Sequence, residues 1–385
     1  MRQWLGAGTV GIALLVSGCS SSADDSEYGA PAGPAGAARD DGSKSSAPSS
    51  DSSPVPSSPG ASSEAPSVSA TTEPSSPATG NGPPGQPAAA GVLTAGAWDD
   101  NRNFARFLGY RSGLAALDLP GLLPITEDEL DVAHQLWLAP KTAKQALDIS
   151  LIIDTTGSMG DEIAYLQAEF LTVSKTIAMN HPEAEQRWSL VLYKDLEDSY
   201  VTQLFDFTAN TKDFSARLAA VSAGGGGDLP ESPDRGFAVA QQLAWSSESS
   251  AAKLAFWLAD APHHDDQAEA MAGGIRGMSK LGVHVYPVAS SGTSELTEVS
   301  MRTAAALTGG RYLFLTNDSG VGNDHKEPTI PCYFVTKLDI AIERMVDIEL
   351  SGVYREPDAS EVLRTGGDPK DGACQLDSGE SVLVF

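Results

Sequence analysis

The segment Ile149–Met159 reads ISLIIDTTGSM. Four of its first five residues are strongly apolar, and the run ends abruptly on the carboxylate of Asp154. Two hydroxyl side chains follow at alternate positions, Thr156 and Ser158. A short apolar run bounded by turn residues is typical of a buried strand. Because hard divalent cations prefer carboxylate and hydroxyl oxygens, the end of this strand is predicted to bind Mg²⁺, Mn²⁺ or Ca²⁺.

Outward from this segment, runs of strand length alternate with stretches of helical periodicity. The predicted strands are Leu147–Asp154, Trp188–Tyr193, Val201–Phe207, Leu254–Ala259, Val283–Ala289 and Arg311–Leu315. The predicted helices are Asp161–Met179, Phe214–Val221, Phe237–Leu243, Gln267–Leu281, Leu296–Leu307 and Tyr333–Leu350. This alternation predicts a doubly wound, mainly parallel α/β sheet with helices on both faces. The short acidic turn between the second and third strands predicts a hairpin, and therefore one antiparallel edge strand.

The segment 91–146, ahead of this pattern, is less regular. Residues Asn103–Leu117 are predicted to include a helix, and Leu130–Leu138 are predicted to add a strand. Asp99, Asn101 and Asn103 alternate like the start of a calcium loop. The glycine and distal glutamate of an EF-hand do not follow, so a turn or helix start is favoured there. The inward residues of the predicted helix are Phe104, Phe107 and Leu108.

The overall charge narrows the class of partner. The chain has 385 residues, with 51 acidic and 25 basic side chains and a net charge of −26. This balance argues against nucleic acid, whose phosphates need a basic surface. It is compatible with a metal ion or a basic partner, and equally with a purely solubilising role.

The first residues predict export and a lipid anchor. Arg2 precedes the apolar stretch Leu5–Val16, which is too short to span a bilayer, and Cys19 follows closely. This resembles the bacterial lipobox, which implies a signal peptide over residues 1–18, a lipidated Cys19 and a protein held at the cell envelope. An ordinary signal peptide is the alternative. Residues 19–90, rich in Ser, Pro, Ala and Gly, are predicted to form a disordered tether.

Two cysteines remain, Cys332 and Cys374. Because an exported protein meets oxidising conditions, a disulfide between them is predicted, although sequence alone does not establish the pairing.

Polar residues are concentrated in three loops. The first follows the strand that ends at Asp154, the second reads GGGGDLPE over residues 224–231, and the third reads DAPHH over residues 260–264. In open α/β sheets, ligands bind outside the carboxyl ends of the strands. The three loops are therefore predicted to converge at one edge of the sheet.

At these residues the chain resembles the von Willebrand factor A domain family over residues 147–350, which leaves residues 351–385 as a C-terminal extension. That family has a metal-ion-dependent adhesion site with the motif Asp-x-Ser-x-Ser, a Thr in the second loop and an Asp in the third. Asp154, Thr156 and Ser158 match the first element and Asp260 matches the third. The second loop resembles instead the Gly-Gly-Gly-Asp-x-Pro-Glu variant of hemicentin-like and bacterial members, which places Asp228 at the Thr position.

The resemblance implies a role for each of these residues. Thr156 and Ser158 would bind the divalent cation directly, and Asp154 and Asp260 would act through water or the hydroxyls. Asp228 would bind directly and make the ion less electrophilic, so capture of an acidic residue of a partner is less assured than in integrin-like members. If the motif is degenerate, Ser158 and Asp228 serve only as helix caps.

The resemblance implies an envelope lipoprotein that binds a protein or surface ligand, with no reaction. Ser158 has no evident base and orienting group, which argues against nucleophilic catalysis. The cluster His263–Asp266 is interpreted as a helix cap rather than as a transition-metal site. His264 is placed near the divalent cation, and Asp195 is interpreted as part of a turn. The alternatives are a structural factor of an envelope complex that needs no open metal position, and a metal-dependent hydrolase.

Overall fold

The computed structural model describes residues 93–227, 229–320 and 324–385. The predicted signal peptide, Cys19 and the predicted tether lie outside these ranges, and so does Asp228. Within the described ranges, the helices are too short or too polar to cross a membrane.

A nine-stranded sheet organises the chain, in the order β4-β3-β2-β5-β6-β7-β1-β8-β9. The central strands β3, β2, β5, β6 and β7 are parallel. Their residues are buried on both faces of the sheet, which explains their continuous apolar sequences. The bounds are β1 Thr94–Trp98, β2 Ala146–Asp154, β3 Glu185–Tyr193, β4 Thr202–Thr208, β5 Ala251–Ala259, β6 His284–Ala289, β7 Tyr312–Thr316, β8 Tyr333–Lys337 and β9 Arg364–Gly366.

Helices cover both faces of this sheet. One core contains Phe170, Phe214 and Met345, from α3, α4 and α8. The other contains Phe237 and Met271, from α5 and α6, together with side chains of α1, α2 and α7. The bounds are α1 Phe104–Ala116, α2 Glu127–Trp137, α3 Gly160–Asn180, α4 Thr211–Ala219, α5 Pro233–Ala240, α6 Ala268–Lys280, α7 Glu295–Thr308 and α8 Leu338–Ser351. The predicted fold class is confirmed, including the β3–β4 hairpin at one edge.

The prediction of a strand at Leu130–Leu138 is wrong, because α2 occupies these residues. The helix begins with a capping box: the Thr126 hydroxyl accepts from the Glu129 N–H at 3.2 Å, and Glu129 accepts from the Thr126 N–H at 2.8 Å. Leu130 is the buried residue of this helix. The Thr-x-x-Glu spacing at Thr126 and Glu129 is the sequence signal for a helix that the prediction overlooked.

The prediction of one helix over Tyr333–Leu350 is wrong in its first five residues, which form β8. This strand pairs with β1 and β9, both antiparallel, and β1 also pairs antiparallel with β7. The sheet therefore has a second antiparallel region beyond β7, which the sequence pattern did not predict. A short hairpin, β10 Ala373–Gln375 and β11 Ser381–Leu383, follows β9.

Strand β1 places the segment before the predicted domain inside the sheet. It lies between β7 and β8, with Ala95 opposite Leu315. Gly96 is required by close packing, because a Cβ atom there would lie 2.2 Å from Cζ of Phe314.

The residues after β1 form a turn rather than a calcium loop. Asp99 Oδ1 accepts from the Asn101 N–H at 2.9 Å, and Asp99 Oδ2 pairs with Arg311 at 3.1 Å. Asn103 immediately precedes α1, so the favoured prediction of a turn and helix start is confirmed. Phe107 is fully buried as predicted, whereas Phe104 and Leu108 are partly buried.

The predicted disulfide between Cys332 and Cys374 is confirmed. Both cysteines are buried, and the bond connects the residue before β8 to strand β10. It therefore fastens the C-terminal extension to the sheet.

Glu349 of α8 is buried beside β6, where it pairs with His284 at 2.9 Å and with Arg311 at 3.1 Å. Burial raises the pKa of Glu349, but His284 and Arg311 outweigh burial and hold it well below its usual range.

We expect Glu349→Gln to lower the free energy of unfolding by about 3 kcal/mol at neutral pH. An acid with a depressed folded pKa stabilises fully only above its unfolded value, so this loss should shrink as the pH falls below about 4.5. Urea unfolding at neutral and acidic pH measures it.

Glu343 on the same helix is the matched control. Burial raises the pKa of Glu343 to about 7, so this residue costs stability that grows as the pH rises from about 4.5 to about 7 and is constant above that. We expect Glu343→Gln to stabilise the protein at alkaline pH and to be neutral near pH 4, the opposite trend. A loss in Glu349→Gln that stays constant with pH would contradict the role of the ion pairs.

Candidate metal-binding site

The three polar loops meet at the carboxyl ends of β2 and β5, which are neighbours in the sheet. Backbone hydrogen bonds join them: the Gly224 N–H donates to Thr155 O and the Gly157 N–H donates to Gly225 O, both at 3.1 Å. The Glu231 N–H donates to Pro262 O at 2.9 Å. The loops therefore converge as the sequence predicts.

Asp154, the last residue of β2, is fully buried. Its Oδ1 accepts from the Thr156 N–H at 2.9 Å and from the Thr156 hydroxyl at 2.7 Å, while Oδ2 has no hydrogen-bond partner among the described residues. The pKa of Asp154 is raised to about 7: burial and, less strongly, Asp260 raise it, while the hydrogen bonds from Thr156 and the charge of Lys194 lower it.

Asp260, immediately after β5, is the second buried carboxylate. Burial raises its pKa, and a hydrogen bond with the Ser158 side chain lowers it. Its Oδ1 has no partner among the described residues. Ser158 itself is exposed. Neither the 3₁₀ helix Gly157–Met159 nor α3 has a side-chain cap, so the capping interpretation of Ser158 is not supported.

Glu231 is a third buried carboxylate, which the sequence analysis did not single out. It is 2% exposed, and its Oε2 has no partner among the described residues. Burial raises its pKa to about 8, and Asp154, Asp195 and other carboxylates raise it too. The only sequence signal for Glu231 was its position as the acidic residue that ends the second loop, GGGGDLPE. The neighbouring Asp228 is predicted as a ligand but lies outside the described residues.

Lys194 is a buried cation beside the first two loops, and the sequence analysis did not identify it. Its ammonium donates to Thr155 O and Gly224 O, so it joins the first two loops. Burial lowers its pKa, and Asp198, Asp154 and Glu231 raise it. A single lysine offsets only part of the negative charge gathered here.

The glycine loop, residues 224–227, approaches the first loop closely. Gly225, Gly226 and Gly227 have φ of +81°, +66° and +148°, which favour glycine. A Cβ atom on Gly226 would lie 3.0 Å from Oε1 of Glu231 and 3.1 Å from Cβ of Thr156. The loop therefore forms one wall of a depression of about 340 Å³ above Thr156 and Ser158.

The histidines of the third loop have partners of their own. His264 Nε2 lies 2.7 Å from Asp195, which also accepts from the Ser232 hydroxyl at 2.8 Å. Burial raises the pKa of Asp195, but these bonds hold it below its usual range. His263 Nε2 lies 2.8 Å from Gly121 O.

The cluster His263–Asp266 lies where the third loop leads into α6. The prediction that this cluster caps a helix is wrong, because neither the 3₁₀ helix Asp265–Gln267 nor α6 has a side-chain cap. The residue before the 3₁₀ helix, His264, contacts Asp195 instead. No three His, Cys, Asp or Glu side chains of the described residues form a group that could hold a metal ion. A cation at the depression therefore depends on the hydroxyls of Thr156 and Ser158 as well as on carboxylates.

Comparison with known proteins finds a similar domain in part of the chain. Residues 148–299 match the model of the von Willebrand factor A domain, a stretch that includes every predicted metal residue. The chain is 25% identical over 142 residues to "Alpha-protein kinase vwkA" of Dictyostelium discoideum, covering 37% of this chain and 22% of that protein. It is 28% identical over 123 residues to "Putative ariadne-like RING finger protein R811" of Acanthamoeba polyphaga mimivirus, covering 32% and 12%. The chain thus spans less than a quarter of either relative.

A solved structure is also similar, the conserved hypothetical protein BatB from Bacteroides thetaiotaomicron. The matched region makes up 46% of this chain and 91% of the BatB chain, with 11% sequence identity and a TM-score of 0.33.

Proposed function

We propose that this von Willebrand factor A domain binds a protein or surface ligand through a divalent cation held by Asp154, Thr156, Ser158 and Asp260. The observation that carries the proposal is the pair of buried carboxylate oxygens, Asp154 Oδ2 and Asp260 Oδ1, that lack a partner among the described residues. Carboxylates buried close together repel each other unless a cation compensates them. Mg²⁺, Mn²⁺ or Ca²⁺ supplies that charge and suits these oxygen donors.

The exposure of the donors favours binding of a partner. Asp154 and Asp260 are buried, whereas Ser158 and the glycine loop are open to solvent. A cation between them would be reached from the depression, where a carboxylate of the partner completes its coordination. Asp228, with Glu231 beside the site, would make the ion less electrophilic, so we expect weaker capture of acidic residues than at a site with a single Thr.

The proposed role is binding without a reaction. The Ser158 side chain is hydrogen-bonded to Asp260, and the two histidines of the third loop lie against Asp195 and Gly121. A serine nucleophile needs a base within hydrogen-bond reach. One relative is named as a kinase, but this chain matches only 22% of that protein.

We also propose that Cys19 anchors the chain to the membrane of the cell envelope and that residues 19–90 hold the domain away from it. The sequence Val16-Ser17-Gly18-Cys19 and the composition of the following segment support this proposal. Metabolic labelling with a palmitate analogue, compared between wild type and Cys19→Ala, tests it.

Calorimetric titration of the wild-type protein with Mg²⁺, Mn²⁺ and Ca²⁺ is the direct test of the metal site. We expect saturable binding of at least one ion, and retention of an envelope partner on immobilised protein that a chelator abolishes. The absence of binding for all three ions would refute the site. A partner retained equally with chelator would favour the structural role instead, in which the domain docks without an open metal position.

A further inference from the structure

A second cavity, of about 360 Å³, lies at the opposite edge of the sheet from the three polar loops. It is bordered by residues that precede β2, β5 and β6, and by the last residues of α6 and α7. Three lysines line it, Lys141, Lys144 and Lys253. Such a concentration of positive charge is unusual in a chain of net charge −26.

Lys141 differs from the other two lysines because no acceptor contacts its ammonium among the described residues. Its ammonium lies 5.5 Å from the centre of the Trp137 ring, and it makes no hydrogen bond or ion pair with the described residues. Partial burial of the ammonium and Arg311 lower the pKa of Lys141, whereas Glu349 and Asp99 raise it. Lys141 is an exposed residue at the mouth of the cavity, so an acidic group of a ligand can reach its ammonium.

Trp137 supplies a second unpaired donor. Its indole N–H is buried and has no hydrogen-bond partner among the described residues. A buried indole N–H normally finds an acceptor. Trp137 and Lys141 are on the same wall of the cavity, so both donors are available to one anionic group.

The other two lysines are partly used by the fold. Lys253 donates to Leu281 O after the end of α6, and Lys144 donates to Ser249 O. Because an ammonium has three donors, each retains hydrogens for a ligand. The carboxylate on the floor, Glu349, pairs with Arg311 at 3.1 Å and lies 2.9 Å from His284, so its charge is partly offset and the three lysines of the rim outnumber it.

The remaining wall is apolar and continues onto an exposed helix face. Leu136 lines the cavity and is 72% exposed, and Val132, one turn earlier on α2, is 63% exposed. A ligand that contacts both surfaces must combine a negative group with apolar side chains.

We infer that this cavity binds an acidic, apolar peptide segment of a partner protein. A carboxylate of the segment accepts from Lys141 and the Trp137 indole, and neighbouring apolar side chains pack on Leu136 and Val132. Charge complementarity and the mixed lining select this occupant, and the cavity is independent of the proposed metal site.

The test uses two capped pentapeptides, acetyl-Leu-Asp-Leu-Glu-Leu-amide and its Asn/Gln counterpart, titrated into the full chain with chelator present and followed by calorimetry. We expect the acidic peptide to bind and the neutral one to bind at least tenfold more weakly. Lys141→Gln should reduce affinity for the acidic peptide at least tenfold, whereas Lys175→Gln, an exposed lysine on the other face, should not change it.

Equal binding of both peptides, no binding of either, or full affinity in Lys141→Gln would overturn the inference. Vesicles of phosphatidylcholine with about 30% phosphatidylglycerol form the last arm, since a lipid surface also carries anions. Sedimentation of the wild type with these vesicles but not of Lys141→Gln, without peptide binding, would assign the cavity to lipid headgroups instead.

Discussion

Replacing Asp154 by Asn is expected to abolish the rise in unfolding temperature that a divalent cation gives the wild-type protein. A ligand at about 100 times its dissociation constant stabilises the folded state by about 2.7 kcal/mol. For a domain of this size that corresponds to a rise of about 5 °C or more. Asn keeps the oxygen that accepts from Thr156 but removes the charge that the cation needs.

The same variant without metal should be as stable as the wild type or more stable. Burial and repulsion from Asp260 make the ionised Asp154 unfavourable in the metal-free protein, and Asn relieves both. A residue with a purely structural role would give the reverse result, a lower unfolding temperature and an unchanged response to metal. Calorimetric scans with Mg²⁺ and with chelator separate the two cases.

Asp131→Asn is the control for the loss of one negative charge. Asp131 is exposed on α2, far from the three polar loops in sequence. This variant should show the full response to the cation. If Asp154→Asn kept the wild-type response, Asp154 would have no part in metal binding.

The parallel part of the fold was predictable because burial on both faces of a strand requires a continuous apolar run, as in Ile149–Ile153. The antiparallel part was not. Apart from Trp98, strand β1 consists of small residues, and Gly96 is required by contact with Phe314 rather than by any periodicity. In β8, Val335 falls into helical spacing with the apolar residues of α8, so only pairing with β1 reveals the strand.

The site divides in the same way. Asp154, Thr156, Ser158 and Asp260 follow strands directly, and position along the chain was enough to place them. The importance of Glu231 and Lys194 comes from burial, which depends on loops distant in sequence. Lys194 contacts the carbonyls of Thr155 and Gly224, and no local pattern encodes that contact.

Removing the carboxylate of Asp100 is expected to cause the largest loss of stability, about 3–5 kcal/mol. Asp100 and Arg302 are both about 3% exposed and form two hydrogen bonds, at 2.7 and 3.0 Å. The Trp98 indole also donates to Asp100 at 3.0 Å. In Asp100→Ala the Arg302 guanidinium stays buried with Glu298 as its remaining acidic partner. Urea unfolding measures the change.

A double-mutant cycle with Arg302→Met separates the ion pair from general damage to the turn after β1. If the loss in Asp100→Ala comes from leaving Arg302 buried without its partner, the double variant should recover part of it, because Met fills the space without a charge. Asp131→Ala, on an exposed helix face, should change stability by less than about 0.5 kcal/mol. A loss below about 1 kcal/mol in Asp100→Ala would mean that β1 does not depend on this pair. The expected loss instead makes the acidic turn after Trp98 the attachment that keeps β1 between β7 and β8, and thus joins the segment ahead of residue 147 to the domain that contains the metal residues.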